Sequence, residues 1–125
     1  MWHAICYKVF NTRKTFGDAA ATCGEDGGAL AMPRDAETNA FLVSLYKSVR
    51  DNENVWFGLR RQHRGGSFEW VDGSALGDYN SWAQQVRDIS SDCVLYSSYL
   101  TNGDWFSMRC DIRNSFICQV APARG

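Results

Sequence analysis

The pattern of apolar and polar positions changes period once along the chain. Cys6-Tyr7-Lys8-Val9-Phe10 is short and β-prone and predicts a first strand. Thr15 stands three residues before Asp18, in the manner of a capping box, and predicts a helix start. The run from Phe16 to Cys23 carries three consecutive alanines, which favour a helix. Phe16, Ala20 and Cys23 fall on one face at i, i+4 and i+7, so Cys23 points inward. Gly24 and the pair Gly27-Gly28 then end the helix. Pro33 and Asp35 open a second helix, with Asp35 as N-cap and Glu37 acidic in the first turn. Phe41, Leu42, Leu45, Tyr46 and Val49 form its apolar stripe, while Lys47 and Arg50 suit the negative end of the helix dipole.

From residue 55 the period shortens. Val55-Trp56-Phe57-Gly58-Leu59 is an apolar strand, Gly65-Gly66 a turn, and Phe68 with Trp70 continues at period two. Residues 73 to 92 show no period and are rich in Ser, Gly, Asp, Asn and Gln, which predicts a long functional loop. Cys93 to Tyr96, Asp104 to Phe106 and Phe116 to Cys118 read as three closing strands. Two helices followed by an antiparallel sheet predict an α+β fold, and residues 1–125 are expected to form one domain.

Composition narrows the class. The chain is 45% hydrophobic and 22% charged, which excludes a disordered or collagen-like polymer. A net charge of −1 removes any bulk drive toward nucleic acid. No apolar run is long enough to insert in a membrane. The N-terminus lacks the basic head and apolar core of a signal peptide, so either Met1 heads a mature domain or the chain stays inside a cell. The five cysteines decide for the first. They are dispersed, with no Cys-x-x-Cys and only two histidines in the chain, which argues against zinc and for structural disulfides in a secreted or extracellular setting. Two bridges among five cysteines can be drawn fifteen ways, and spacing does not choose between them.

These segments, taken in order from about residue 6 to 120, resemble the C-type lectin-like domain. The resemblance is carried by Cys6-Tyr7-Lys8-Val9-Phe10, Phe16 with Ala19 and Cys23, and Trp56-Phe57-Gly58-Leu59. Phe68-Glu69-Trp70-Val71-Asp72-Gly73, Tyr79 with Trp82, Asp92-Cys93-Val94, Trp105 five before Cys110, and Phe116-Ile117-Cys118 complete it. It implies disulfides Cys23–Cys118 and Cys93–Cys110. Cys6 is left over: either its partner lies further upstream in a longer chain, or it forms an intermolecular bridge and a covalent dimer.

Sugar-binding members of the family hold calcium in the long loop, and the resemblance indicates where its ligands would stand. Calcium needs about six to eight oxygens, several of them charged. The family's loop tripeptide aligns with Val86-Arg87-Asp88, its glutamate before the third strand cysteine with Ser91, and its Trp-Asn-Asp with Trp105-Phe106-Ser107. Only Asp88 keeps a carboxylate. At the auxiliary calcium site the acidic positions coincide with Arg61 and Gly65, leaving Asp92. No metal and no other cofactor is therefore expected.

What replaces the acids suggests a different chemistry. Arg60-Arg61-Gln62-His63-Arg64 concentrates positive charge on a turn, and arginine forks suit carboxylate, sulfate or phosphate. The other reading is an ordinary solvated turn balanced by Glu69, Asp72 and Asp78. Tyr96 and Tyr99 flank two serines and could contact a ligand or lie partly buried at a strand edge. Trp56, Trp70, Trp82 and Trp105 occupy family core positions and are expected to pack. The candidate ligand-binding residues are thus Arg61, His63, Arg64, Arg87, Asp88, Tyr96 and Tyr99. Catalysis is not expected, because neither His3 nor His63 accompanies a nucleophile motif. The expected function is non-enzymatic extracellular recognition of a glycan or a microbial surface polymer, anionic if the arginines meet it, without calcium at the usual sugar site, as in innate immunity. The alternative is a protein ligand bound by the same fold, as in receptor and venom relatives.

Overall fold

The structure is a computed structural model that describes residues 5–25, 27–49, 54–61, 66–79, 92–96 and 105–120. In chain order these form β1 (Cys6–Lys14), α1 (Phe16–Glu25), β2 (Ala29–Leu30), α2 (Ala36–Val49) and β3 (Val55–Arg60). β4 (Glu69–Trp70), β5 (Cys93–Tyr96), β6 (Trp105–Met108) and β7 (Asn114–Val120) follow. The main path of the sheet runs β1-β7-β3-β5-β6, with β2 added to β7 and β4 to β3.

Both helices start where the side chains can satisfy the free amides of a first turn. Asp18 N donates to Thr15 Oγ1 at 3.2 Å, and Thr38 N donates to Asp35 Oδ1 at 2.7 Å. α1 ends through Gly27, whose φ of 77° is open to glycine at little cost. Its amide reaches Gly24 O, and Gly28 N reaches Cys23 O. Phe16, Ala19 and Cys23 are the buried residues of α1, so the inward face is turned slightly from the expected one that contained Ala20.

The apolar strands read without alternation because both of their faces are covered. Val55, Phe57 and Leu59 of β3, Val94 and Tyr96 of β5 and Ile117 of β7 pack with Leu42 and Tyr46 of α2. Trp56, Cys93, Leu95, Phe116 and Cys118 face the other way and pack with Phe16, Ala19 and Cys23 of α1. One sheet thus separates two cores, each roofed by a helix. Gly58 lets the backbone close up between them: its amide donates to Ala31 O at 2.7 Å, and its carbonyl accepts from Val71 N at 3.0 Å.

Three features depart from the sequence reading. The sheet is mixed, because β3 runs parallel to β7 through Val55↔Ser115 and Trp56↔Phe116. Parallel pairing needs a long crossover, and the chain between β3 and β7 supplies it. β1 continues past Phe10 to Lys14 despite its polar sequence, because Lys14 pairs with Asn114 beyond a register shift and its carbonyl accepts from Trp56 Nε1. β2 is only two residues long and carries no local signal, since its partner residues are Gln119 and Cys118.

The disulfides are Cys23–Cys118 and Cys93–Cys110, the pairing that the resemblance implies. They span 95 and 17 residues. In the chain-entropy account such loops are worth about 4–5 and about 3 kcal/mol. Cys6 is a free, exposed thiol on β1.

Candidate functional site

Arg61, just after β3, and Asp92, just before β5, are bound together through both backbone and side chain. Arg61 N donates to Asp92 O at 2.9 Å, and Arg61 Nε donates to Asp92 Oδ1 at 2.8 Å. The guanidinium also lies 5.0 Å from the Phe68 ring centroid. The Arg61 side chain is 10% exposed and that of Asp92 38%, so this is a half-buried charge pair. Loss of either partner would leave the other partly desolvated.

This arrangement bears on the cation chemistry implied by the resemblance. Asp92 is the one acidic residue kept at the auxiliary position, and a positive side chain already engages its carboxylate. Ser107 is buried and neutral, and Phe106 brings only hydrocarbon. Among the described residues no group of three His, Cys, Asp or Glu could hold a metal ion. The described residues at these positions do not fit a divalent cation, whose charge would have to displace the arginine. His63, Arg64, Arg87, Asp88 and Tyr99 lie outside the described residues, as does Trp82.

Tyr96 corrects the expectation placed on it. Its side chain is 0% exposed and cannot meet a ligand at the surface. The ring packs 4.6 Å from Phe57 and 5.3 Å from Tyr46, centroid to centroid. Its hydroxyl donates to Asn39 Oδ1 at 2.5 Å, and Trp105 Nε1 donates to the same oxygen at 2.9 Å. Burial pushes the phenol well above its usual range, with neighbouring Tyr46, Tyr79 and Tyr7 adding to the effect. The local pattern around Tyr96, with two serines beyond it, is that of a surface edge. The deciding fact is the continuation of α2 across that face, which brings Asn39 to the hydroxyl. Trp56, Trp70 and Trp105 are buried as expected. Tyr79 is half-buried, edge-on to Trp105 at 5.7 Å.

A second polar cluster escaped the sequence reading. Asp72 Oδ1 accepts from Ser74 N at 2.9 Å and from Ser74 Oγ at 2.6 Å, while Arg34 reaches its other oxygen. The Ser74 bonds foremost, with Arg34 assisting, lower the Asp72 carboxyl to about 2. Arg34 also lies 5.7 Å from the Trp70 ring centroid. This cluster pins the turn after β4 to the segment that enters α2, so it frames the fold and offers no free charge.

Comparison with known proteins agrees with this architecture. The profile of the lectin C-type domain matches residues 12–120. One chain of the snaclec coagulation factor IX/factor X-binding protein of Echis carinatus is 36% identical over 94% of this chain and 90% of its own. The alpha-N-acetylgalactosamine-specific lectin of Patiria pectinifera is 33% identical over 97% of this chain and 79% of its own. Among solved structures, human lithostathine superposes with a TM-score of 0.89 at 26% identity, covering 98% of this chain and 95% of that one. Two helices on opposite faces of a mixed sheet, two disulfides in the implied pairing and a profile match across almost the whole chain agree, and the chain belongs to the C-type lectin domain family.

Proposed function

We propose that this chain is a non-enzymatic extracellular recognition module that binds its ligand, a glycan or an anionic microbial surface polymer, without calcium. The reading is carried by the Arg61–Asp92 pair, in which the carboxylate left at a family cation position is neutralised by a side chain of the same protein. The Arg61 guanidinium then links the end of β3 to the start of β5 in the place of a metal. His63, Arg64, Arg87, Asp88 and Tyr99 are the residues proposed to meet the ligand, on the chemistry of arginine forks and amphipathic tyrosine. Two disulfides support an oxidising, extracellular setting. Among the described residues no helix is long and apolar enough to cross a membrane.

The second reading is a protein ligand. It is favoured by the 36% identity to a chain named for binding coagulation factors. A glycan and polymer array run with calcium and again with chelator tests both. Binding of an anionic glycan or polymer that is equal in the two conditions is expected. Binding abolished by chelator overturns the calcium-free reading, and a wholly blank array turns the assignment to a protein ligand.

A further inference from the structure

An open groove of about 390 Å³ lies between α1 and the paired ends of β3 and β5. Its walls are mostly apolar: Phe16, Ala20 and the Cys93–Cys110 disulfide line it, and Gly17 sits beside them on α1. A Cβ added at Gly17 would meet nothing within 4 Å, so the missing side chain leaves room along that wall. The volume falls within the roughly 300–1,000 Å³ range of small-molecule sites, and apolar walls with a few polar groups are their usual make-up.

Among the described residues, the polar side chains lining this groove are Arg60, Arg61 and Asp92. Arg61 and Asp92 neutralise each other. Arg60 pairs by backbone with Glu69 on one side and Cys93 on the other, yet its guanidinium makes no ion pair or hydrogen bond with any described residue. The groove therefore combines apolar walls with one half-buried arginine that forms no ion pair among the described residues, Glu69 being its cross-strand neighbour. A neutral apolar ligand would leave that charge without a partner, and a free anion would gain nothing from the walls. A molecule with both parts uses both.

We propose that this groove binds a small carboxylic acid with an aromatic body, the ring over Gly17, Ala20 and the Cys110 half of the disulfide, with buried Phe16 and Cys93 behind them, and the carboxylate on the Arg60 guanidinium. A groove of this size suits a small molecule better than an extended protein face, which would need roughly 800 Å² of surface from each partner. This proposal rests on Arg60 and the apolar wall, whereas the function proposed above rests on the Arg61–Asp92 pair and on other residues, so the two readings fail independently.

The test is an amide-resolved NMR titration of the intact, disulfide-bonded chain with 4-phenylbutyrate and with its uncharged counterpart 4-phenylbutanol. The expected result is saturable shifts at the amides of Gly17, Ala20 and Cys93 for the acid, with the alcohol about tenfold weaker. Gly17→Leu should fill the groove and abolish these shifts while leaving the melting temperature unchanged or higher. Arg60→Gln should weaken the acid about tenfold and leave the alcohol as it was. The proposal is overturned if the acid gives no localised shifts up to 10 mM (on the order of the weakest useful small-ligand affinity). Equal binding of acid and alcohol overturns it, as does full binding by Gly17→Leu. Shifts confined to other regions, or binding by a peptide ending in phenylalanine but by neither small probe, also count against it.

Discussion

Asn39 carries a prediction that separates a buried hub from an ordinary hydrogen bond. Its Oδ1 accepts two donors, Tyr96 Oη at 2.5 Å and Trp105 Nε1 at 2.9 Å, and all three residues are buried. Asn39→Leu keeps the approximate size but strands both donors away from water. Each stranded donor costs about 1–3 kcal/mol, so the substitution should destabilise the fold by about 2–6 kcal/mol. Tyr96→Phe removes one donor only and leaves the oxygen engaged by Trp105. Its cost should be that of one neutral hydrogen bond, about 0.5–1.5 kcal/mol. In the Tyr96→Phe background, Asn39→Leu strands a single donor and should cost about 1–3 kcal/mol less than in the parent. Urea unfolding with the disulfides intact measures all three, provided the slope with denaturant stays constant. If Asn39→Leu costs no more than Tyr96→Phe, or the two effects simply add, the shared acceptor is not what holds these aromatics in place.

Other consequences follow from the same packing. Gly58→Ala would place a methyl 2.8 Å from Leu30 O and 2.9 Å from Val71 Cγ2. Such overpacking against backbone should cost about 1–3 kcal/mol, measurable as a lower urea midpoint. The Asp72 carboxyl is lowered to about 2, so its contribution is full above the ordinary carboxylate range and fades as pH falls toward 2. Asp72→Asn should flatten that part of the acid unfolding curve. The effect should be small, because Asp72 and Arg34 are 41% and 42% exposed, and a curve unchanged in shape would refute the assignment. Joint replacement of Cys93 and Cys110 by serine should cost about 3 kcal/mol, read by thermal unfolding, because it frees a loop of 17 residues. Arg61→Gln should lower stability through the uncompensated Asp92 carboxylate, and pairing it with Asp92→Asn should recover part of the loss; two losses that add in full would remove the ion pair as a stabilising contact.

Much of this fold is local and was legible as such. The caps at Thr15 and Asp35, the apolar stripe of α2 and the unbroken apolar run of β3 each depend on residues a few positions apart. Caps, helical period and β-propensity are short-range physics, so the sequence by itself determined which segments are helices and which are buried strands. The disulfide pairing was legible only through resemblance, because cysteine spacing admits many connections. The tertiary structure alone decided the parallel pairing of β3 with β7, the short β2 strand, and the fates of Arg61 and Tyr96. Arg61 finds Asp92 across 31 residues and Tyr96 finds Asn39 across 57. Whether an arginine is a free charge or half of an ion pair, and whether a tyrosine is a surface or a core residue, depends on which distant strand or helix is packed beside it. Strand order and helix placement minimise the free energy of the whole chain, and no local window contains that information.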